Sequence, residues 1–223
     1  MRFLYFFLIG FIPLLEAQEV CLFTPPKDWL PAEPEKHSSL VKIGFIDPKG
    51  AAFHASINLA EEEIDCTEEE YLDAVKKIHL SSRKNTWAYL GKIPTNSGEA
   101  FLMQIETTAP SHPIRMLQLI LFHDRKAYIL TGAATKKDFS KFLTLFKNSF
   151  SSLTLTSDLL SLLSNEEDCL RISSLKDQVK NGEKTAWKAF ELAVLELKNS
   201  PGPYWKALLL AETSQKTENT CCK

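Results

Sequence analysis

Residues 113–153 constrain this chain most. Between Arg115 and His123, Leu117, Leu119 and Leu121 share one parity, and Met116, Ile120 and Phe122 share the other, interrupted only by Gln118. A strand apolar on both parities is predicted to lie centrally in its sheet, or to be partly covered on its second face. His123-Asp124-Arg125-Lys126 is a polar break fit for a hairpin turn. Ala127-Tyr128-Ile129-Leu130-Thr131-Gly132 then returns as the partner strand. Thr135 and Asp138, three residues apart, predict something close to a capping box at the start of a helix.

That helix carries Phe139, Phe142, Leu143, Phe146 and Phe150 at a 3.6-residue period, with Lys137, Lys141 and Lys147 largely on other faces. Fully burying five such side chains stabilises by roughly 1.5–3 kcal/mol each before entropy is counted. The helix is therefore predicted to cover the sheet; docking on a partner or a lipid surface is the alternative.

The segments before it read as sheet. Residues 40–46 form a strand, Asp47-Pro48-Lys49-Gly50 a hairpin turn, and residues 53–59 a half-buried strand. In that strand Phe53, Ala55, Ile57 and Leu59 face in, and His54, Ser56 and Asn58 face out. Thr67-Glu68-Glu69-Glu70 opens a helix with a capping box. Its apolar stripe is Tyr71, Leu72, Val75 and Ile78, with His79 packed or at the boundary. Residues 85–93 and 99–107 are two further strands, with Trp87, Tyr89 and Ile93 on one parity of the first. Trp29, following Pro25-Pro26, is predicted to be a buried anchor. Four consecutive hairpin-connected strands with flanking helices make an antiparallel α+β fold, not a parallel nucleotide-binding one.

The N-terminus adds a compartment. Arg2, an apolar run from Phe3 to Leu15 and Ala17 at a plausible cleavage point predict a Sec-type signal peptide over residues 1–17. The run is too short to span a bilayer, which takes about 20 residues. The mature chain is then expected in the periplasm or secreted. The formal net charge of −2 is unchanged by loss of Arg2 and Glu16. No polybasic surface for nucleic acid is implied.

These features resemble the PsbP-like superfamily, which includes DcrB-like envelope proteins. Carrying the resemblance are Pro25-Pro26 before Trp29 and the Ile57-Asn58-Leu59 strand preceding the Thr67–Tyr71 helix start. Its most specific part is Ala127–Gly132 running into a Phe-rich helix that ends Asn148-Ser149-Phe150. It covers about residues 21–153. The resemblance implies an antiparallel sheet with helices packed on one face. It also implies a non-catalytic role, because members mostly bind or stabilise other proteins and share no catalytic motif. No site residue carries over.

The remainder departs from that pattern. The expected division is a domain over 18–153, a helical extension over 154–212 and a flexible tail over 213–223. Within the extension, residues 157–171 predict one short helix and 175–199 contain a longer one. Trp187, Phe190, Val194 and Leu197 form the stripe of the latter, and Pro203 begins a third helix. Packing on the sheet, on one another or on a partner stays open.

The mature chain carries five cysteines. Cys66 with Cys169, or with Cys21, is a candidate internal disulfide; Cys221 and Cys222 are candidates for a disulfide-linked oligomer. No C-x-x-C, G-x-S-x-G, H-E-x-x-H, phosphate loop, dinucleotide fingerprint or calcium loop occurs. No catalytic, cofactor or metal residues are assigned. The expected function is therefore an exported, non-catalytic binding or assembly factor acting on an envelope or secreted protein. Two alternatives remain: a chaperone-like groove for an apolar client segment, and an exported hydrolase using His54 and Ser56, or His112.

Overall fold

The structure is a computed structural model that describes residues 19–32, 40–49, 53–108, 112–183 and 185–218, with side chains to residue 214. The expected signal peptide over residues 1–17, Cys221 and Cys222 lie outside these residues.

The main sheet holds β2 (Leu30–Pro31), β3 (Val41–Ile46), β4 (Ser56–Glu63), β5 (Thr86–Thr95), β6 (Gly98–Thr108), β7 (Pro113–His123) and β8 (Lys126–Thr135). Its order is β2-β3-β4-β8-β7-β6-β5, and every pairing is antiparallel. A separate ribbon joins β1 (Val20–Leu22) to β9 (Thr154–Thr156). The helices are α1 (Glu68–Leu80), α2 (Phe139–Ser151), α3 (Glu166–Lys180), α4 (Ala186–Glu196) and α5 (Pro203–Glu218). The fold is the antiparallel α+β arrangement expected from the strand order.

The two parities of β7 go where the pattern places them. Leu117, Leu119 and Leu121 join the large core with Ile57, Leu59, Leu130, Phe146 and Phe150. Met116, Ile120 and Phe122 join a smaller cluster with Met103, Ile105 and Ile129. The helices do not all share a face. α2 and the C-terminal helices cover the first; α1 sits on the second through Tyr71, Leu72 and Val75. The hairpin turn is as tight as its sequence implies, with Asp124 and Arg125 both left-handed (φ 44° and 59°).

α2 rests directly on backbone. Phe146 lies over Gly132 of β8, where an added Cβ would come within 2.5 Å of its ring. Trp29 closes the same cluster, edge-on to Phe142 and Phe146 at 6.0 and 6.2 Å. The start of α2 differs from the expected box. Thr135 Oγ1 accepts from the Asp138 N–H and donates to its carboxylate, forming a turn that precedes the helix. Asp138 itself is the N-cap residue.

Strand β5 corrects a parity. A register shift between Tyr89 and Gly91, with Gly91 at φ 105°, flips the side chains beyond it. Trp87 therefore packs with the second-face cluster and Ile93 with the large core.

The C-terminal region is continuous with the sheet core. Phe190, Val194, Trp205 and Leu209 belong to the same cluster as Ile57 and Phe150. Trp205 Nε1 donates to the Leu159 carbonyl at 2.7 Å, and Tyr204 meets Phe23 at 6.1 Å. Where one helix is expected over 157–171, a 3-10 turn (Leu159–Leu162) is followed by a new helix. Asn165 starts it by accepting from Glu167 and Asp168 N–H. Within 175–199, residues to Lys180 close α3, Gly182 takes φ 79°, and the stripe from Trp187 lies on a separate helix, α4. α5 continues past Glu212, with Thr213 buried.

Replacing Gly132 with Ala should lower unfolding stability by about 1–3 kcal/mol, because the Phe146 ring is enclosed and cannot yield freely. Urea denaturation of the two proteins measures this directly.

Candidate functional site

A single short helix cannot cover the whole second face of a seven-stranded sheet. α1 buries none of its residues fully. It is held at its N-terminus, where a complete capping box joins Thr67 and Glu70 and where Tyr71 stands edge-on to Phe122 at 5.4 Å. Between α1 and the β3–β4 side of the sheet a groove of about 300 Å³ remains. Leu40 and Ile78 flank it, 45% and 68% exposed, and Val41, Ala60 and Ile129 contribute apolar walls.

Its polar groups are few. Gln118, the one break in the apolar parity of β7, lies at the floor and donates to Thr131 Oγ1 at 3.4 Å. Tyr71 donates its hydroxyl to Glu62 Oε2; burial, with Glu62 as acceptor, pushes the phenol well above its ordinary pKa. Asn85 Nδ2 donates to the His79 carbonyl at 2.9 Å and ties down the end of α1. Burial holds the His79 imidazole below its ordinary pKa, and a hydrogen bond with Gln118 works against that shift. A mostly apolar groove with few fixed polar groups binds apolar surface and orients it.

The residues weighed for catalysis are placed apart from this groove. His54 Nδ1 lies 2.7 Å from the Asp47 carbonyl, within its own hairpin. Ser56 is paired in β4 between Ile46 and Ala133. His112 lines a cavity of about 570 Å³ at the other loops, with Asp47, Asp138, Lys136 and Lys141. Two of its lining groups, Asp138 and Lys136, are committed to ion pairs. Asp138 accepts from Lys141 at 2.6 Å, and Glu106 accepts from Lys136 and Arg115, each at 2.6 Å. Both carboxyls are held below their ordinary range by these partners. Neither is poised to act as a general base near neutral pH.

The described cysteines are free thiols in separate surroundings. Cys21 is in the core, and burial, then the nearby Glu61 and Glu19 charges, push its thiol far up. Cys66 is exposed at the turn before α1. Cys169 is half-buried on α3, near the Leu160 carbonyl. Among the described residues, Glu19, His123 and Asp124 are the one group placed to share a cation. No periodicity points to them, since Glu19 is remote in sequence from the hairpin.

No protein-family model and no curated protein matches this sequence. Solved structures do. LpqN of Mycobacterium tuberculosis, described as involved in cell envelope biogenesis, matches with a TM-score of 0.47 at 11% identity, over 62% of this chain and 84% of that one. CyanoP of Synechocystis, a cyanobacterial PsbP, matches at 0.45 and 12% identity, over 65% and 96%. A Pseudomonas aeruginosa protein of unknown function matches at 0.41 and 16%, over 50% and 80%.

The depressed pKa of His79 carries a sign. Its folded value lies below the unfolded one of about 6.5, so its contribution is intact above that pH and is lost as pH falls through the folded value. Replacing His79 with Gln should make stability less dependent on pH between about pH 7 and about pH 5. The change in slope should be less than the roughly 1.4 kcal/mol per pH unit of one whole proton, since the ring is only partly buried. Urea titrations at a series of pH values measure it.

Proposed function

We propose that this chain is an exported, non-catalytic binding protein that holds an apolar segment of an envelope or secreted partner in the groove beside α1. The observation that carries the reading is that groove. Leu40 and Ile78 line it and are exposed, Val41, Ala60 and Ile129 add an apolar wall, and only a few fixed polar groups sit within it. Export is supported by the apolar run from Phe3 to Leu15 ending near Ala17. Among the described residues no helix is long and apolar enough to cross a membrane.

The geometry gives such a partner a plain mode of binding. An apolar side chain entering between Ile78 and Leu40 displaces water from Val41, Ala60 and Ile129. Each such chain, fully buried, is worth roughly 1.5–3 kcal/mol. Gln118 and Thr131 at the floor offer hydrogen bonds to a backbone lying along the groove. The hydrolase reading has less support, because Ser56 is paired on both sides in the β4 ladder and Asp138, beside His112, is held by Lys141.

Site-specific photocrosslinking in the native host tests the proposal. A photoreactive residue at position 78 or 40 should yield a discrete adduct, mapped by mass spectrometry to an apolar segment of an exported protein. The same probe at Lys147 should not. The position-40 adduct should be lost on Ile78→Asp. That substitution should alter stability by no more than about 0.5 kcal/mol, because it is exposed. Adducts that ignore Ile78→Asp, or none at all, would overturn the groove as the binding site.

A further inference from the structure

The tip of the β7–β8 hairpin brings three ligand-bearing side chains together. Glu19 lies immediately before β1, His123 ends β7, and Asp124 begins the turn. His123 Nε2 is 3.3 Å from Glu19 Oε2 and 3.5 Å from Asp124 Oδ2. All three ligand atoms lie within 4.8 Å of one another. We propose that they form a site for a divalent transition-metal ion of the zinc class.

Distance is the first argument. Zinc bonds to imidazole nitrogen and carboxylate oxygen are about 2.0–2.2 Å, so neighbouring corners of a tetrahedron lie roughly 3.3–3.6 Å apart. Both edges running from Nε2 already have that length. The Glu19–Asp124 edge lies within 4.8 Å, and Asp124 is a largely exposed side chain at a turn.

Electrostatics is the second. Among the described residues, the only ion-pair partner of either carboxylate is His123. With a neutral imidazole the cluster carries two negative charges. Glu19 Oε2 is closed off from solvent and has no hydrogen-bond donor; its approach to Nε2 lacks hydrogen-bond alignment. A buried carboxylate oxygen without a donor is costly, and a cation removes that cost.

Chemistry selects the ion. Calcium and magnesium take oxygen donors, whereas imidazole directs a site to zinc, copper, nickel or iron. One nitrogen and two oxygens leave a fourth position for water. The ion would join the start of β1 to the hairpin tip, two segments a hundred residues apart in sequence. Its role is thus a clasp on β1.

The test uses the mature full-length chain carrying Cys66→Ser, Cys221→Ser and Cys222→Ser, so that exposed or tail thiols cannot capture metal. Calorimetric titration with Zn²⁺ should show one ion per chain. His123→Asn and Glu19→Gln should each weaken binding at least about tenfold, whereas His54→Asn should leave it unchanged. Zn²⁺ should raise the melting temperature of the parent but not of His123→Asn, and circular dichroism in the absence of metal checks that the variants fold. Co²⁺ bound in the same place should give the visible spectrum of a four-coordinate nitrogen–oxygen site, lost in His123→Asn. No saturable Zn²⁺ uptake would overturn the proposal. Uptake indifferent to His123→Asn and Glu19→Gln would do the same, as would binding of Mg²⁺ or Ca²⁺ in preference to Zn²⁺.

Discussion

A strand that is apolar on both faces sets the terms for the whole molecule. β7 presents Leu117, Leu119 and Leu121 to one side and Met116, Ile120 and Phe122 to the other, so both sides of the sheet need a covering layer. The first side receives α2, the β1–β9 ribbon and the C-terminal helices. Among the described residues the second receives α1 alone. One helix about 10 Å wide cannot roof several strands spaced about 4.8 Å apart. The groove beside Ile78 is the uncovered remainder. It follows from an imbalance of layers, and it places binding capacity on the less protected face.

The first side shows why the C-terminal helices belong with the sheet. Cys21, Leu22 and Phe23 lie between the sheet and those helices and are almost wholly buried. Among the described residues β1 has only β9 for a strand partner, so it depends on residues from both flanks. Trp205 fastens the layer by donating to the Leu159 carbonyl at 2.7 Å, which ties α5 to the 3-10 turn. Lys176 reinforces it by pairing with Glu212 across α3 and α5 at 3.1 Å. Cutting the chain near residue 153 would strip cover from Cys21 and Phe23, so removing the extension would disturb the sheet domain along with it.

The sequence shows these layers clearly wherever periodicity is intact. The parities of β4 and β7, the Phe stripe of α2 and the capping box of α1 are all legible, because each rests on a local rule that the fold obeys. Reading fails where one residue interrupts the period. Gly91 inverts the parity of β5 by allowing a bulge, which a period-two reading cannot see. Asn165 followed by Glu166, Glu167 and Asp168 is a helix start that the leucines around it obscure, and Asn181-Gly182 is a helix stop ahead of the Trp187 stripe. The site is legible only in part. Gln118 stands out as a polar residue in an apolar run, but its position opposite α1 depends on a long-range packing that no local rule supplies. The Glu19 carboxylate is further from reach, since its neighbours come from the far end of the sheet.

Both features of interest meet at the end of β7, and alternation explains how. Phe122 points to the second face and anchors Tyr71 at the start of α1; His123 points to the first face and meets Glu19. The two-residue turn that follows fixes both at once, because Asp124 and Arg125 are held in left-handed conformations and Arg125 pairs with Asp65 just ahead of α1. The hairpin tip is therefore a shared support for the first strand on one face and the groove-forming helix on the other. A change in the turn that rotated one of these side chains would rotate its neighbour too, since successive residues of a strand cannot turn independently.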